Sequence, residues 1–443
     1  MTRVLILAAT TGYQTRSFGE AAERLGVELV FATDRCHLIE DPWQDRAIPI
    51  RFHEEDASVA AILDAAKAGR IEGVLAVGDR PTVIAARVAQ ALGLPCHPPE
   101  AAAIARHKEL TRERLRDAGL PVPWWFTVAI NSQRSTLPEP SAIDDVRPPL
   151  SYPCVVKPVA LSGSRGVMRA DDPASFATAF ERLRALLRSP EVRAERNEAH
   201  QIALVEGFIP GREYAVEALL HHGALHVLAI FDKPEPLDGP FFEETIYVTP
   251  SSLPPDIQDQ IIQAVASAAK AIGLYHGPVH AECRVHTGSA QAARVFVLEV
   301  AARPIGGLCA QALRFQSAIT NQSAIRNPQS AISLEELLLR HALGDDPGAW
   351  RRERDARGVM MIPIPRRGIL RRVDGADAAR GVADIDDIRI TAKPDQLLVP
   401  LPEGASYLGF IFARAADPLA VERALRAAHA KLRFTIEREI SVV

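Results

Sequence analysis

Strand-like and helix-like segments alternate along the first hundred residues of this 443-residue chain, and that rhythm leaves few folds open. Apolar runs at 4–8, 28–32 and 73–77 read as strands, whereas 18–25, 59–68 and 81–92 carry helical spacing. Such a succession builds a parallel sheet covered by helices. The first turn, 8–12, holds one glycine and lacks GxGxxG, so a dinucleotide-binding dehydrogenase is poorly supported. The apolar start resembles a signal sequence only superficially. It is short and passes at once into polar Thr11–Gln14, which points to a buried first strand and a cytoplasmic protein.

No apolar run approaches the ~18 residues of a membrane span. A net charge of -4 without a long basic block argues against nucleic acid as a main partner. Cys36, Cys96, Cys154, Cys283 and Cys309 are odd in number and scattered, so they read as buried thiols rather than a disulfide framework.

The chemistry begins in the stretch 151–167. Val155 and Val156 deliver Lys157 at the end of a strand, and Ser162, Gly163, Ser164, Arg165, Gly166 and Val167 follow as a loop. Glycines let backbone N–H groups close around phosphate oxygens, and the lysine adds a point charge. Alone, this reads equally well as a surface turn. It is no Walker A loop, because the lysine precedes the glycines.

Three further pieces lie downstream. A strand ending at Glu206 passes through Gly207, Phe208 and Ile209 to a second strand from Glu213, whose carboxylate could grip a diol. On 277–285, alternation places His280, Glu282 and Arg284 on one face. On 295–303, it places Val297, Glu299, Ala301 and Arg303 together. A hairpin between these strands would set Glu282 beside Glu299, an arrangement that needs a cation, and oxygen ligands suit Mg²⁺. Alternatives stand at each position: Glu206 and Glu213 as solvated strand-end charges, Arg303 as the neutraliser of Glu299. His221, His222, His226, His276, His280 and His286 match no common zinc spacing and read as ordinary scattered histidines. Asp79, in Gly78-Asp79-Arg80, could touch a ligand or cap the next helix.

In order and spacing, these pieces resemble the ATP-grasp superfamily, and in particular its L-amino-acid ligase and biotin-carboxylase-like carboxylate–amine ligases. The resemblance rests on Lys108 opening a helix, Tyr152-Pro-Cys-Val-Val-Lys157, the 162–166 loop, 206–213, Glu282, and Glu299 with Arg303. It implies an α/β and α+β multidomain protein: a Rossmann-like parallel sheet over 1–105, an ATP-grasp domain over 106–355 and a C-terminal α+β lobe over 356–443. It further implies that Lys108 and Lys157 bind ATP phosphates beneath the 162–167 loop. Backbone from Glu206 to Ile209 would read adenine, Glu213 would hold ribose, and Glu282 and Glu299 would hold Mg²⁺, or Mn²⁺ instead. Arg303, with Lys157, would serve catalysis by steadying the transferred phosphoryl group.

Lys233, Glu243 and Glu244, with Arg303, Gly306 and Gly307, would face the acceptor substrate. The partners implied are a small carboxylate and an amine, with homodimerisation left open. One departure stands out: many members have Asn where this chain has Ala301, which removes a third metal ligand. A member that activates bicarbonate, or a nucleotide-binding protein without catalysis, are the rival readings. Finally, Gln-Ser-Ala-Ile recurs at 316, 322 and 329, and 316–332 is expected to be an inserted surface loop.

Overall fold

The computed structural model describes residues 2–9, 12–34, 47–131, 150–286, 293–318 and 331–439. Residues 132–149, the 287–292 connection, Cys36 and most of the Gln-Ser-Ala-Ile repeat lie outside them.

The N-terminal alternation yields a four-stranded parallel sheet ordered Ile48–Pro49, Glu28–Thr33, Arg3–Ala8, Gly73–Val77. Both faces of Arg3–Ala8 are covered, Leu5 and Leu7 packing in one apolar cluster and Val4 and Ile6 in another. That explains its unbroken apolar run, since a parallel strand buried on both sides has no polar face.

The centre of the molecule is an eight-stranded antiparallel sheet. Its order runs from Arg294–Ala301 through Gly277–His286, Arg212–His221, Ala224–Asp232 and Ile246–Thr249, then Ala356–Ile362, Gly409–Ala415 and Ile385–Ile390. The sheet thus continues without a break across position 356: Ile246 pairs with Met360 and Thr249 with Arg357. A four-stranded antiparallel sheet, ordered Trp125–Ala129, Ile202–Gly207, Cys154–Pro158, Met168–Ala170, supplies a second wall beside it.

Period-two alternation decides what the eight-stranded sheet presents. Along Arg212–His221, Tyr214, Val216, Ala218 and Leu220 join one apolar cluster, and Ala215 and Leu219 join another. Glu213 and Glu217 are therefore carried on the same side as Ala215.

The repeat is not wholly a loop. Gln316 and Ser317 end the strand Arg314–Ser317 and pair with Arg351 and Trp350, while Ile332 pairs with Phe315. The helix Leu334–Ala342 follows, and Arg24 of the N-terminal lobe reaches its Glu336 at 3.2 Å. Cys154, Cys283 and Cys309 are buried as expected, whereas Cys96 is half-buried. No helix among the described residues is long and apolar enough to cross a membrane.

Candidate active site

The two sheets, the N-terminal lobe and the C-terminal lobe enclose a cavity of about 640 Å³, within the range usual for small-molecule sites. Lys108, Lys157, Glu206, Glu213, Glu282, Glu299 and Arg303 line it, with Ser162, Gly163, Ser164 and Val167 of the loop. Gly207, Phe208, Ile209, Glu244, Gly306 and Gly307 also face it.

The loop's backbone requires its glycines. Gly163 and Gly166 sit at φ 65° and 76°, and Ser164 between them is left-handed as well at 56°. Gly166 itself is off the cavity: its amide donates to the carbonyl of Pro402 at 2.8 Å. Beside it, Arg165 donates to the carbonyl of Glu403, and Arg182 holds the Glu403 carboxylate at 2.9 Å. The C-terminal lobe thereby holds this loop in place.

Lys157 emerges from a buried strand and meets Glu206 at 2.5 Å, and Arg112 grips the same carboxylate at 2.9 Å. Arg112 is completely buried, one turn beyond Lys108 on the helix Lys108–Asp117. Glu206 is thus no solvated strand-end charge. Burial alone would raise its pKa, but the Arg112 and Lys157 charges outweigh burial and hold it at about 2. Burial pushes the Lys157 ammonium down to about 8, with Arg112 adding repulsion. Lys108 donates to the carbonyl of Leu161 at 2.6 Å and stands 3.5 Å from Glu299.

Glu282 and Glu299 are direct cross-strand partners, as the hairpin requires. Strict alternation fails here, however. Cys283 pairs with Val297, so Leu298 is an extra residue in the strand Arg294–Ala301. Val297 turns to the apolar cluster with Val295, while Leu298 and Glu299 enter the cavity. The bulge is what aims Glu299. Ala301, opposite His280, is buried and offers no ligand atom.

Lys233 lies beneath the cavity floor rather than in its lining. Its ammonium is 2.8 Å from Glu213, 2.5 Å from Glu244 and 3.2 Å from Glu282. Burial disfavours that charge, yet the three carboxylates hold its pKa well above the usual lysine range. Glu213 is buried, and its second oxygen accepts from Arg284 at 3.0 Å. Burial first, then repulsion from Glu282, lifts Glu244 to about 7; Tyr247 donates to its free oxygen at 2.8 Å. Glu243 points elsewhere, into a surface hollow shared with Arg426 and His429.

Arg303 does not pair with Glu299, the alternative its strand position left open. It bonds Asp79 of the N-terminal lobe at 2.9 Å. Asp79 therefore does not cap the next helix, whose N-cap is Pro81 without a side-chain bond. Glu217, fully buried, accepts the Ile305 amide at 3.1 Å and so fixes the turn that carries Arg303. His280 donates to Glu217 at 3.0 Å. Burial opposes its charge, but hydrogen bonds to Glu217 and Glu282 prevail and raise it to about 9.

Sequence reasoning missed Arg112, Glu217 and the C-terminal residues that close the cavity, among them Gln396, Ser406 and Tyr407. The first two had a signal: each lies four residues beyond a residue already singled out, on the same face of its helix or strand. The third group had none.

Family models match three consecutive parts of the chain: an ATP-grasp N-terminal domain at 19–96, an ATP-grasp domain at 150–312 and an L-amino acid ligase C-terminal domain 2 at 360–437. The chain is an ATP-grasp protein. Its fold is that of the L-amino acid ligase from Bacillus licheniformis, with a TM-score of 0.77 over 99% of both chains at 24% identity. Among curated relatives, this ATP-grasp chain is 26% identical over 290 residues to the ATP-grasp enzyme fsqD of Aspergillus fumigatus, covering 61% of the chain and 46% of the relative. It is 27% identical over 303 residues to human carnosine synthase 1, covering 63% of the chain and 34% of the relative. The chain thus spans less than half the length of these two relatives.

Proposed function

We propose that this protein is an ATP-dependent carboxylate–amine ligase that activates a carboxylate as an acyl phosphate, releasing ADP and phosphate in the cytoplasm. The observation that carries this reading is the convergence of Lys108, Lys157 and Arg303 with the Glu282–Glu299 pair on one cavity. Phosphoryl transfer asks little of a protein beyond positioning and charge neutralisation. In this reading, Lys108 and Lys157 engage the phosphates beneath the 162–167 loop, and backbone from Glu206 to Ile209 faces the base. Glu213 would share with a ribose the oxygens that Lys233 and Arg284 now occupy.

Glu282 and Glu299 would hold Mg²⁺, with Mn²⁺ as the alternative, because the donor set is all oxygen. Lys233 is a single positive charge among three carboxylates, Glu213, Glu244 and Glu282, so negative charge is left at Glu282 for a cation. The bound ion would neutralise phosphate charge.

The γ-phosphoryl group passes to a carboxylate oxygen and ADP leaves. The amine nitrogen then attacks the acyl carbon, and phosphate departs with that oxygen. Arg303 would steady the developing negative charge. Glu244, raised above the usual carboxylate range by burial and by Glu282, would take the proton released by the incoming amine. The relatives' names support amino acids or peptides as the substrate class.

A screen of amino acids and small carboxylates with ATP, Mg²⁺ and hydroxylamine tests the proposal. The expected result is hydroxamate and ADP in equal amounts for at least one acid. ATP turnover with no hydroxamate from any acid would contradict it.

A further inference from the structure

Four of the histidines that seemed scattered in the sequence, His221, His222, His226 and His276, meet in space with His341. His221 ends the strand Arg212–His221, His222 follows in the turn and His226 lies on the returning strand. His276 immediately precedes the strand Gly277–His286, and His341 sits in the last turn of the helix Leu334–Ala342. Nδ1 of His221 is 3.3 Å from Nε2 of His341. The rings of His276 and His341 stack with centroids 4.3 Å apart. One nitrogen from each of His221, His276 and His341 lies within 4.8 Å of the other two. His276 and His341 are buried, and His221 is half-buried.

Other buried histidines are used differently. His97 has both nitrogens engaged, by the carbonyl of Pro278 and the amide of Tyr275. His200 meets Glu195, and His280 meets Glu217. By contrast, the leading charges acting on His276 and His341 are those of further histidines. Within the cluster His276 Nδ1 accepts the backbone amide of His222 at a long 3.4 Å and His221 and His341 share one hydrogen bond, so among the described residues no carboxylate holds these imidazoles.

We propose that His221, His276 and His341 form a binding site for a divalent transition metal, with zinc the ion that fits. Imidazole nitrogens suit zinc and its neighbours, whereas Mg²⁺ demands oxygen. Zinc–nitrogen bonds of about 2.0–2.1 Å in a tetrahedron place ligand nitrogens about 3.3 Å apart. That is the His221–His341 separation. His222, whose ring lies 4.6 Å from that of His221, is the nearest imidazole for the fourth position. Burial, then repulsion among the histidines, takes His276 to about 4 and His341 to about 3, so both are neutral and ready to ligate at pH 7.

The ion would clamp three segments: the 212–232 hairpin, the start of the next strand, and the helix whose Glu336 pairs with Arg24 of the N-terminal lobe. His276 is six residues from Glu282, about 20 Å along an extended strand, so the site is separate from the cavity. Its role is to hold the sheet, the helix and the N-terminal lobe together.

The test uses untagged full-length protein freed of metal by a chelator. Cobalt should bind at one equivalent with the visible absorption of a tetrahedral nitrogen site, and zinc should displace it. Zinc, but not Mg²⁺ at the same concentration, should raise the melting temperature. His341→Gln should weaken zinc binding about tenfold or more. His221→Asn, at the half-buried edge, should do the same and serves if the first variant fails to fold. Glu282→Gln should leave zinc affinity unchanged. Failure of the wild type to bind one equivalent at micromolar zinc would overturn the proposal. So would unchanged affinity in the histidine variants, or its loss in Glu282→Gln.

Discussion

His276 and His280 stand four residues apart and have opposite characters. His280 faces the cavity and bonds Glu217, and its pKa is raised to about 9. His276 faces other histidines, and burial with their repulsion lowers it to about 4. Both are buried, so burial does not separate them; the neighbours do. The comparison extends to the two regions they belong to. Around the cavity the buried cations have carboxylate partners: Lys157 with Glu206, Lys233 with Glu213, Arg284 with Glu213. Such pairing builds a site whose charges are fixed before a ligand arrives. In the histidine cluster the imidazoles face one another and bond only one another and backbone, with no carboxylate partner among the described residues, so no charge is fixed there.

The largest expected effect breaks the cavity side of this comparison. Lys157→Ala should lower kcat/KM by a factor of about 10²–10³, or about 2.7–4 kcal/mol of transition-state stabilisation. The fold should survive, because Arg112 still neutralises Glu206. Steady-state kinetics with circular dichroism of the folded variant measures both. Near-wild-type turnover would remove Lys157 from the phosphate site.

Next comes the pH dependence of stability, which sharpens the contrast between the two histidines. His280 has a folded pKa above its unfolded value of 6.5, so its stabilisation is complete below pH 6.5 and is lost as pH rises to about 9. The amount is of order 3 kcal/mol. His276 has a folded pKa below 6.5, so it binds a proton more readily when unfolded and costs stability as pH falls from 6.5 to about 4. Urea unfolding of the metal-free protein across pH 4–9 should show both slopes. His280→Asn should reduce the alkaline slope and His276→Asn the acidic one, to which the similarly lowered His97 and His341 also contribute; a slope unchanged in its variant assigns it to other groups.

The smallest effect lies where neither kind of pairing is at stake. Removing 319–330 should change activity and melting temperature little. Phe315 and Ile332 already pair, so the shortened chain closes a tight hairpin, and each doubling of loop length costs only about 0.6 kcal/mol. Extending the deletion to Gln316 should cost more, because Gln316 and Ser317 pair with Arg351 and Trp350. Thermal melts of the two deletions separate these cases.

Much of this architecture was legible in the sequence because local pattern and tertiary role agreed. The parallel N-terminal sheet followed from strand–helix alternation, and the Glu282–Glu299 pairing from two strands and a short connection. What escaped depended on distance along the chain. Asp79 meets Arg303 across 224 residues, and Arg165 meets the Glu403 carbonyl across 238. Nothing local announces such contacts. The bulge at Leu298 was hidden because alternation assumes an unbroken ladder. The histidine cluster was hidden for a related reason: its three ligands come from two strand ends and a helix, so no short spacing exists to match.

The central claim is that a carboxylate oxygen leaves with phosphate. With an accepted acid labelled with ¹⁸O in its carboxylate, ATP, Mg²⁺ and an amine, mass spectrometry of the products decides it. The account predicts ADP, and one ¹⁸O in each inorganic phosphate formed. Label appearing in AMP, with pyrophosphate as the other product, would contradict acyl-phosphate formation in this cavity.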